Sequence, residues 1–97
     1  MATTKNYEMI ILLSEDFNDN ELKNWAFEYA QELQKLNASE ISVISRGKRL
    51  LAYTITRYKK ANFIQINFKS TAKSSNVFSN NLKFDQNVLR YSVFNKN

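Results

Sequence analysis

Between residues 22 and 36 the apolar side chains Leu22, Trp25, Ala26, Tyr29, Leu33 and Leu36 recur at spacings of three and four. Lys23, Glu28, Glu32 and Lys35 fall off that stripe. This is the period of an α-helix with one apolar face, and such a face must be covered by another layer. Asn18 or Asp19 is placed to cap its start, and Glu21 complements the positive end of the helix dipole. Asn37 suits a left-handed cap at its other end.

The covering layer reads as strands. Tyr7 to Leu13 is an almost continuous apolar run with β-branched members, the pattern of a central strand. Residues 40–46 alternate as a strand around Ile41 and Val43, and Leu51, Tyr53 and Ile55 continue it. Gly47, the only glycine, lies between the two runs. It marks either a β-bulge or a plain turn. Arg57-Tyr58-Lys59-Lys60 forms a polar tip. Phe63 to Phe68 is the next strand, with Ile64, Ile66 and Phe68 on one face and Phe63, Gln65 and Asn67 on the other. Residues 70–83 are rich in Ser, Asn and Lys. Two turns of helix fit around Val77, Phe78 and Leu82, although Asn and Ser are poor interior helix residues. Val88 to Phe94 is the last strand. The order βαββαβ predicts an α+β, ferredoxin-like fold, in which a four-stranded antiparallel sheet carries two helices on one face. Without repeats, linkers or low-complexity segments, residues 1–97 are expected to form a single domain.

Charge is divided along the chain. Residues 1–45 hold three lysines against eight carboxylates, a net charge of −5. Residues 46–97 hold eleven cations against Asp85 alone, a net charge of +10. This asymmetry points to a polyanionic partner for the second half, the plainer alternative being a lysine-rich surface that serves solubility.

Composition excludes much chemistry. With neither cysteine nor histidine, the chain has no disulfide, thiolate zinc site, cysteine nucleophile or histidine base. Glu15, Asp16, Asp19 and Glu21 surround a helix start, and that location accounts for them. They lack the spacing and glycine of a calcium loop. A lone glycine excludes a phosphate-cradling loop, and no serine has an activating base. No enzyme, cofactor, metal or small-molecule substrate is expected. No apolar run approaches the ~18 residues of a membrane span, so no membrane partner is expected either. The first residues match neither a signal peptide nor an arginine-rich transit peptide, which predicts that the protein works where it is made. Thirteen asparagines and ten lysines are the mark of an AT-rich genome, organellar or bacterial.

What remains is a basic stretch interleaved with aromatic rings, Arg46, Lys48, Arg49, Tyr53, Arg57, Tyr58, Lys59 and Lys60. Arginine forks suit phosphates, and tyrosine can stack on an unpaired base. On a regular strand Arg49, Leu51, Tyr53, Ile55 and Arg57 share one face, and Lys48 and Leu50 take the other. Tyr53 is thus either a core residue or an RNA-stacking one. An RNA-recognition motif has the same element order, but Lys60 to Phe68 lacks its glycine and Met9 to Leu13 offers no stacking aromatic. Base readout across the open sheet is therefore disfavoured.

The run Gly47-Lys48-Arg49-Leu50-Leu51-Ala52-Tyr53-Thr54-Ile55 resembles small-subunit ribosomal protein six of the bacterial and plastid type. Tyr7-Glu8 opening the first strand, the basic hairpin Arg57 to Phe63, and Leu82 to Tyr91 share the resemblance. It extends over nearly everything from Tyr7 to Phe94. Thr54 stands where that family usually has proline, and threonine is a good strand residue. The resemblance implies the ferredoxin-like fold and a ribosomal location, in a plastid or an AT-rich bacterium. It implies a structural component that binds the central domain of small-subunit ribosomal RNA together with small-subunit ribosomal protein eighteen. RNA junctions would be recognised mainly by shape and backbone. The expected phosphate contacts are Arg46, Lys48, Arg49, Arg57, Lys59, Lys60 and Arg90, with Tyr53 and Tyr7 as further candidates for RNA or partner contact. Two other readings use the same fold. One is an adaptor whose positive half meets an acidic protein. The other is an acylphosphatase-like enzyme, which would need a phosphate-cradling loop where Ser14 to Asn20 is acidic instead.

Overall fold

A computed structural model describes residues 3–96. The elements follow the order β1 (Thr4–Ser14), α1 (Asp19–Lys35), β2 (Ser39–Ile55), β3 (Tyr58–Thr71), α2 (Ala72–Lys83) and β4 (Val88–Asn95). The strands form one sheet in the order β2-β3-β1-β4, and every neighbouring pair is antiparallel. Each helix therefore connects strands that have another strand between them. This is the expected ferredoxin-like arrangement.

Period-two alternation sets which sheet face is covered. On β1 the side chains of Tyr7, Met9, Ile11 and Leu13 are buried, and on β3 those of Ile64, Ile66 and Phe68. The register places Met9 opposite Ile66 and Ile11 opposite Ile64. Trp25 and Leu33 of α1 and Phe78 and Leu82 of α2 close on this face, with Ile41, Val43, Val88 and Tyr91 packed at its margins. Tyr7 is therefore a core residue. Its ring stacks on Phe68 at 5.6 Å between centroids, which takes it out of the candidate RNA contacts.

Both helices begin on side-chain caps. The Asn18 carboxamide oxygen accepts from the Glu21 N–H at 2.8 Å, and the Glu21 carboxylate accepts from the Asn18 N–H at 3.0 Å. This reciprocal box satisfies two of the backbone donors that a helix start leaves unpaired. Asn37, at φ 64°, follows α1 in the left-handed region, as its residue type predicts. For α2 the cap is Thr71, whose hydroxyl accepts from the Ser74 N–H at 3.2 Å. The helix runs twelve residues, longer than its composition suggests. Ties to α1 hold it. The Ser74 hydroxyl donates to the Leu36 carbonyl at 3.0 Å, and the Asn81 amide donates to the Glu32 carboxylate.

Asp85, the lone carboxylate of the second half, fastens the turn between α2 and β4 to α1. Its Oδ2 accepts from the Trp25 indole N–H at 3.0 Å and from the Tyr29 hydroxyl at 2.7 Å. Its Oδ1 accepts from the Asn87 N–H at 2.9 Å. Burial, and next the bond to Asp85, hold the Tyr29 hydroxyl far above the usual tyrosine range, so it remains a donor. Asp85→Ala leaves the indole and phenol without their acceptor and should cost about 1–3 kcal/mol. Asp85→Asn keeps one oxygen and should cost less. Urea unfolding of the two variants checks that order.

Candidate nucleic-acid interface

The sheet face away from the helices presents the alternate side chains of each strand. In the register, Arg90 of β4 lies opposite Leu12 of β1, Leu12 opposite Phe63 of β3, and Phe63 opposite Gly47 of β2. The next row is Ser92, Ile10, Gln65 and Ile44. An apolar strip of Ile10, Leu12 and Phe63 thus crosses the middle of the face, with arginines toward both edges of the sheet.

A bulge decides which cations reach it. The β2–β3 register shifts between Ser45 and Gly47, so Arg46 and Gly47 together oppose Phe63. Gly47 sits at φ 85°, a left-handed conformation that an L side chain rarely adopts. A Cβ there would meet nothing within 4 Å, so the backbone angle and not space calls for glycine. Of the two readings of Gly47, the bulge is the one observed. Its consequence is geometric. A regular strand would place Arg46 and Arg49 on opposite faces; the extra residue brings both to the open face. Lys48, paired with Asn62, is directed to the other side.

Arg46 and Arg49 are fixed before any ligand arrives. The Nε and a terminal nitrogen of Arg46 donate to the Gln65 Oε1 at 3.1 and 2.6 Å. Gln65 in turn donates to Glu8 at 3.0 Å, and Glu8 pairs with Lys96 at 3.3 Å. This polar chain crosses β2, β3 and β1. The Arg49 guanidinium lies 5.5 Å from the Phe63 ring centroid, within cation–π range. Ile10, Arg46, Arg49, Phe63 and Gln65 line a shallow depression between them. Arg90 is exposed on β4, where it donates to its neighbour's carbonyl, Leu89 O, at 3.1 Å.

The other cations lie on the β2–β3 hairpin. Ser14, the last residue of β1, is level with Ala61, and Ala61 is level with Arg49. Residues 50–60 therefore run past the end of β1. Lys59 and Lys60 are exposed on this projection, as is Arg57 at its turn. The Tyr58 hydroxyl donates to Asp16 at 2.9 Å and accepts from Arg57 at 3.3 Å, tying the tip to the β1–α1 turn. Arg57 also lies over the Tyr58 ring at 5.2 Å. The Tyr58 hydroxyl raises the Arg57 pKa further, keeping the guanidinium charged.

Tyr53 is not a core residue. The register lapses between Leu50 and Ile55, which ends the shared face that alternation predicts. Ile55 turns inward, whereas Tyr53 is 68% exposed. The candidate residues thus fall into two groups, with Arg46, Arg49 and Arg90 on the open sheet face and Tyr53, Arg57, Lys59 and Lys60 on the hairpin. Lys48 stands between them on the opposite side. Apart from Glu8 on the open face and Asp16 at the hairpin tip, a group of carboxylates lies elsewhere, with Glu21, Glu28, Glu32 and Asp85 lining a groove beside α1. Among the described residues no cluster of three or more metal-ligating side chains is present.

Comparison with known proteins agrees with this architecture. The family model "Ribosomal protein S6" matches residues 6–95. Small ribosomal subunit protein bS6c of Trieres chinensis is 66% identical over 96 residues, covering 99% of this chain and 100% of the relative. The bS6c protein of Phaeodactylum tricornutum is 54% identical over 96 residues, covering 99% of this chain and 98% of the relative. The crystal structure of 30S ribosomal protein S6 from Thermotoga maritima superposes with a TM-score of 0.87 at 17% identity, over 97% of this chain and 89% of that one. That structure shows the fold, and the two bS6c relatives and the family model show the lineage: the chain belongs to the ribosomal protein S6 family of the small ribosomal subunit.

Proposed function

We propose that this protein is a structural component of the small ribosomal subunit, in a plastid or an AT-rich bacterium. It acts as one RNA-binding domain over residues 1–97 and binds the central domain of 16S-type ribosomal RNA together with small-subunit ribosomal protein eighteen. The supporting observation is the bulge at Arg46 and Gly47, which brings Arg46 and Arg49 onto the face that already carries Arg90. The hairpin cations extend that positive surface; Glu8 and Asp16 are tied to Gln65 and Tyr58 at its margins, and Glu21, Glu28, Glu32 and Asp85 lie apart from it beside α1. Cations presented in this way suit the backbone of folded RNA, which is recognised by shape and phosphate contact.

Binding by phosphate neutralisation releases counterions, and its salt dependence counts the contacts. If Arg46, Lys48, Arg49, Arg57, Lys59, Lys60 and Arg90 all engage phosphates, log K should fall with log salt at a slope of about −5 to −6. Between 50 and 200 mM salt, affinity should then drop about a thousandfold or more. A filter-binding series on a central-domain transcript, with and without protein eighteen, measures this. Absent or salt-insensitive binding in both arms would defeat the proposal and favour an adaptor that meets an acidic protein.

A further inference from the structure

The projecting hairpin carries an aromatic ring in open solvent. Tyr53 is 68% exposed and Leu50, three residues earlier, 73%. Leu50, opposite Lys60, is the last residue in register before the β2–β3 pairing lapses, Tyr53 lies within that lapse, and both lie beyond the end of β1. An exposed tyrosine and leucine gain little of the free energy that burial would give them. Their surroundings are cationic: Lys48, Arg49, Arg57, Lys59 and Lys60 are all exposed. No carboxylate occurs anywhere between residues 41 and 84. Phe27 and Phe84 are also exposed, yet each adjoins a carboxylate in sequence, Glu28 or Asp85, which disfavours a polyanion.

An aromatic face within a positive ribbon is how single-stranded nucleic acid is held. The charges follow the backbone, and the ring takes the flat face of a base. Inside a continuous duplex both faces of every base are already stacked. At a bulge or a junction an unpaired base can leave the helix and stack on a protein ring. We infer that Tyr53 receives an unpaired base of the RNA. The hairpin then distinguishes junctions and bulges from plain duplex, which phosphate contacts alone do not. This inference rests on the RNA-binding function proposed above and adds base stacking to it.

The test uses an RNA hairpin with one bulged 2-aminopurine and a fully paired hairpin of equal length, at about 0.1 M salt. The protein should bind the bulged RNA about tenfold more tightly than the paired one. Bound 2-aminopurine fluorescence should be quenched by stacking. Tyr53→Ala should abolish both the preference and the quenching while leaving the salt slope and the thermal midpoint unchanged. Tyr53→Phe, which keeps the ring, should preserve both. Equal binding of the two RNAs, or a preference that survives Tyr53→Ala, overturns the inference and leaves the phosphate-binding function standing. No binding to either RNA at low salt overturns that function and the inference with it. Loss of protein eighteen from the complex on Tyr53→Ala, with the RNA preference unchanged, assigns the ring to a protein interface and also overturns the inference.

Discussion

Phe78→Ala should unfold this protein at a temperature about 15–30 °C below the natural chain, through a loss of about 3–5 kcal/mol. Phe78 is 0% exposed and sits where α2 meets both α1 and the sheet. Its ring makes edge contacts with Tyr29 at 5.7 Å and Phe68 at 5.8 Å. Among the residues of α2 only Ser75, Phe78 and Leu82 are buried. Most of the apolar attachment of that helix therefore passes through two side chains. Truncating one removes its transfer free energy and leaves a cavity that the antiparallel sheet beneath cannot collapse to fill. The loss is a large share of the ~5–15 kcal/mol that stabilises a typical fold of this size. Val77→Ala, one residue away but 40% exposed, should change stability by no more than about 0.5 kcal/mol. Thermal and urea unfolding of the two variants measures the contrast. Equal effects at the two positions would show that α2 does not depend on this contact.

The same helix shows where sequence reading reaches its limit. α1 was legible because its stripe is wide and its caps are local, with Asn18 and Glu21 three residues apart. β1 and β3 were legible because alternation reports burial directly on a sheet with one covered face. The full length of α2 was not, because the bonds from Ser74 to Leu36 and from Asn81 to Glu32 span 38 and 49 residues. Asp85 was invisible as a latch for the same reason, its two aromatic donors lying 56 and 60 residues away. Gly47 gave a true local signal, but only the strand pairing separates a bulge from a turn. That distinction reassigns faces for every cation nearby. It brings Arg49 to Arg46 and sends Lys48 to the other side. For Tyr53 the alternation with Leu51 and Ile55 misleads about a shared face, because the pairing that would enforce the alternation lapses after Leu50. A hydrophobic period predicts orientation only where a partner strand holds the register.

The pairing also makes the arginine cluster the sharpest test of the interface. Replacing Arg46, Lys48 and Arg49 together by alanine should lower the magnitude of the salt slope of RNA binding by about 2–3, at ~0.7–0.9 per phosphate contact. The drop in affinity between 50 and 200 mM salt should become about 20- to 40-fold smaller than in the natural protein. Stability should change little. All three side chains are exposed, and the bonds they make within the fold are with Gln65 and the Arg46 carbonyl. Arg46 and Arg49 share the open face while Lys48 is directed to the other side, so smaller variants divide the effect. If RNA lies across the open face, Arg46→Ala with Arg49→Ala should account for about two-thirds of the change in slope or more. Lys48→Ala alone should then account for the remaining third if RNA wraps the edge strand, and for none of it if RNA stays on one face. A slope that survives the triple substitution would remove this cluster from the interface and leave the hairpin cations to account for it. The bulge at Gly47 would then serve the sheet and not the RNA.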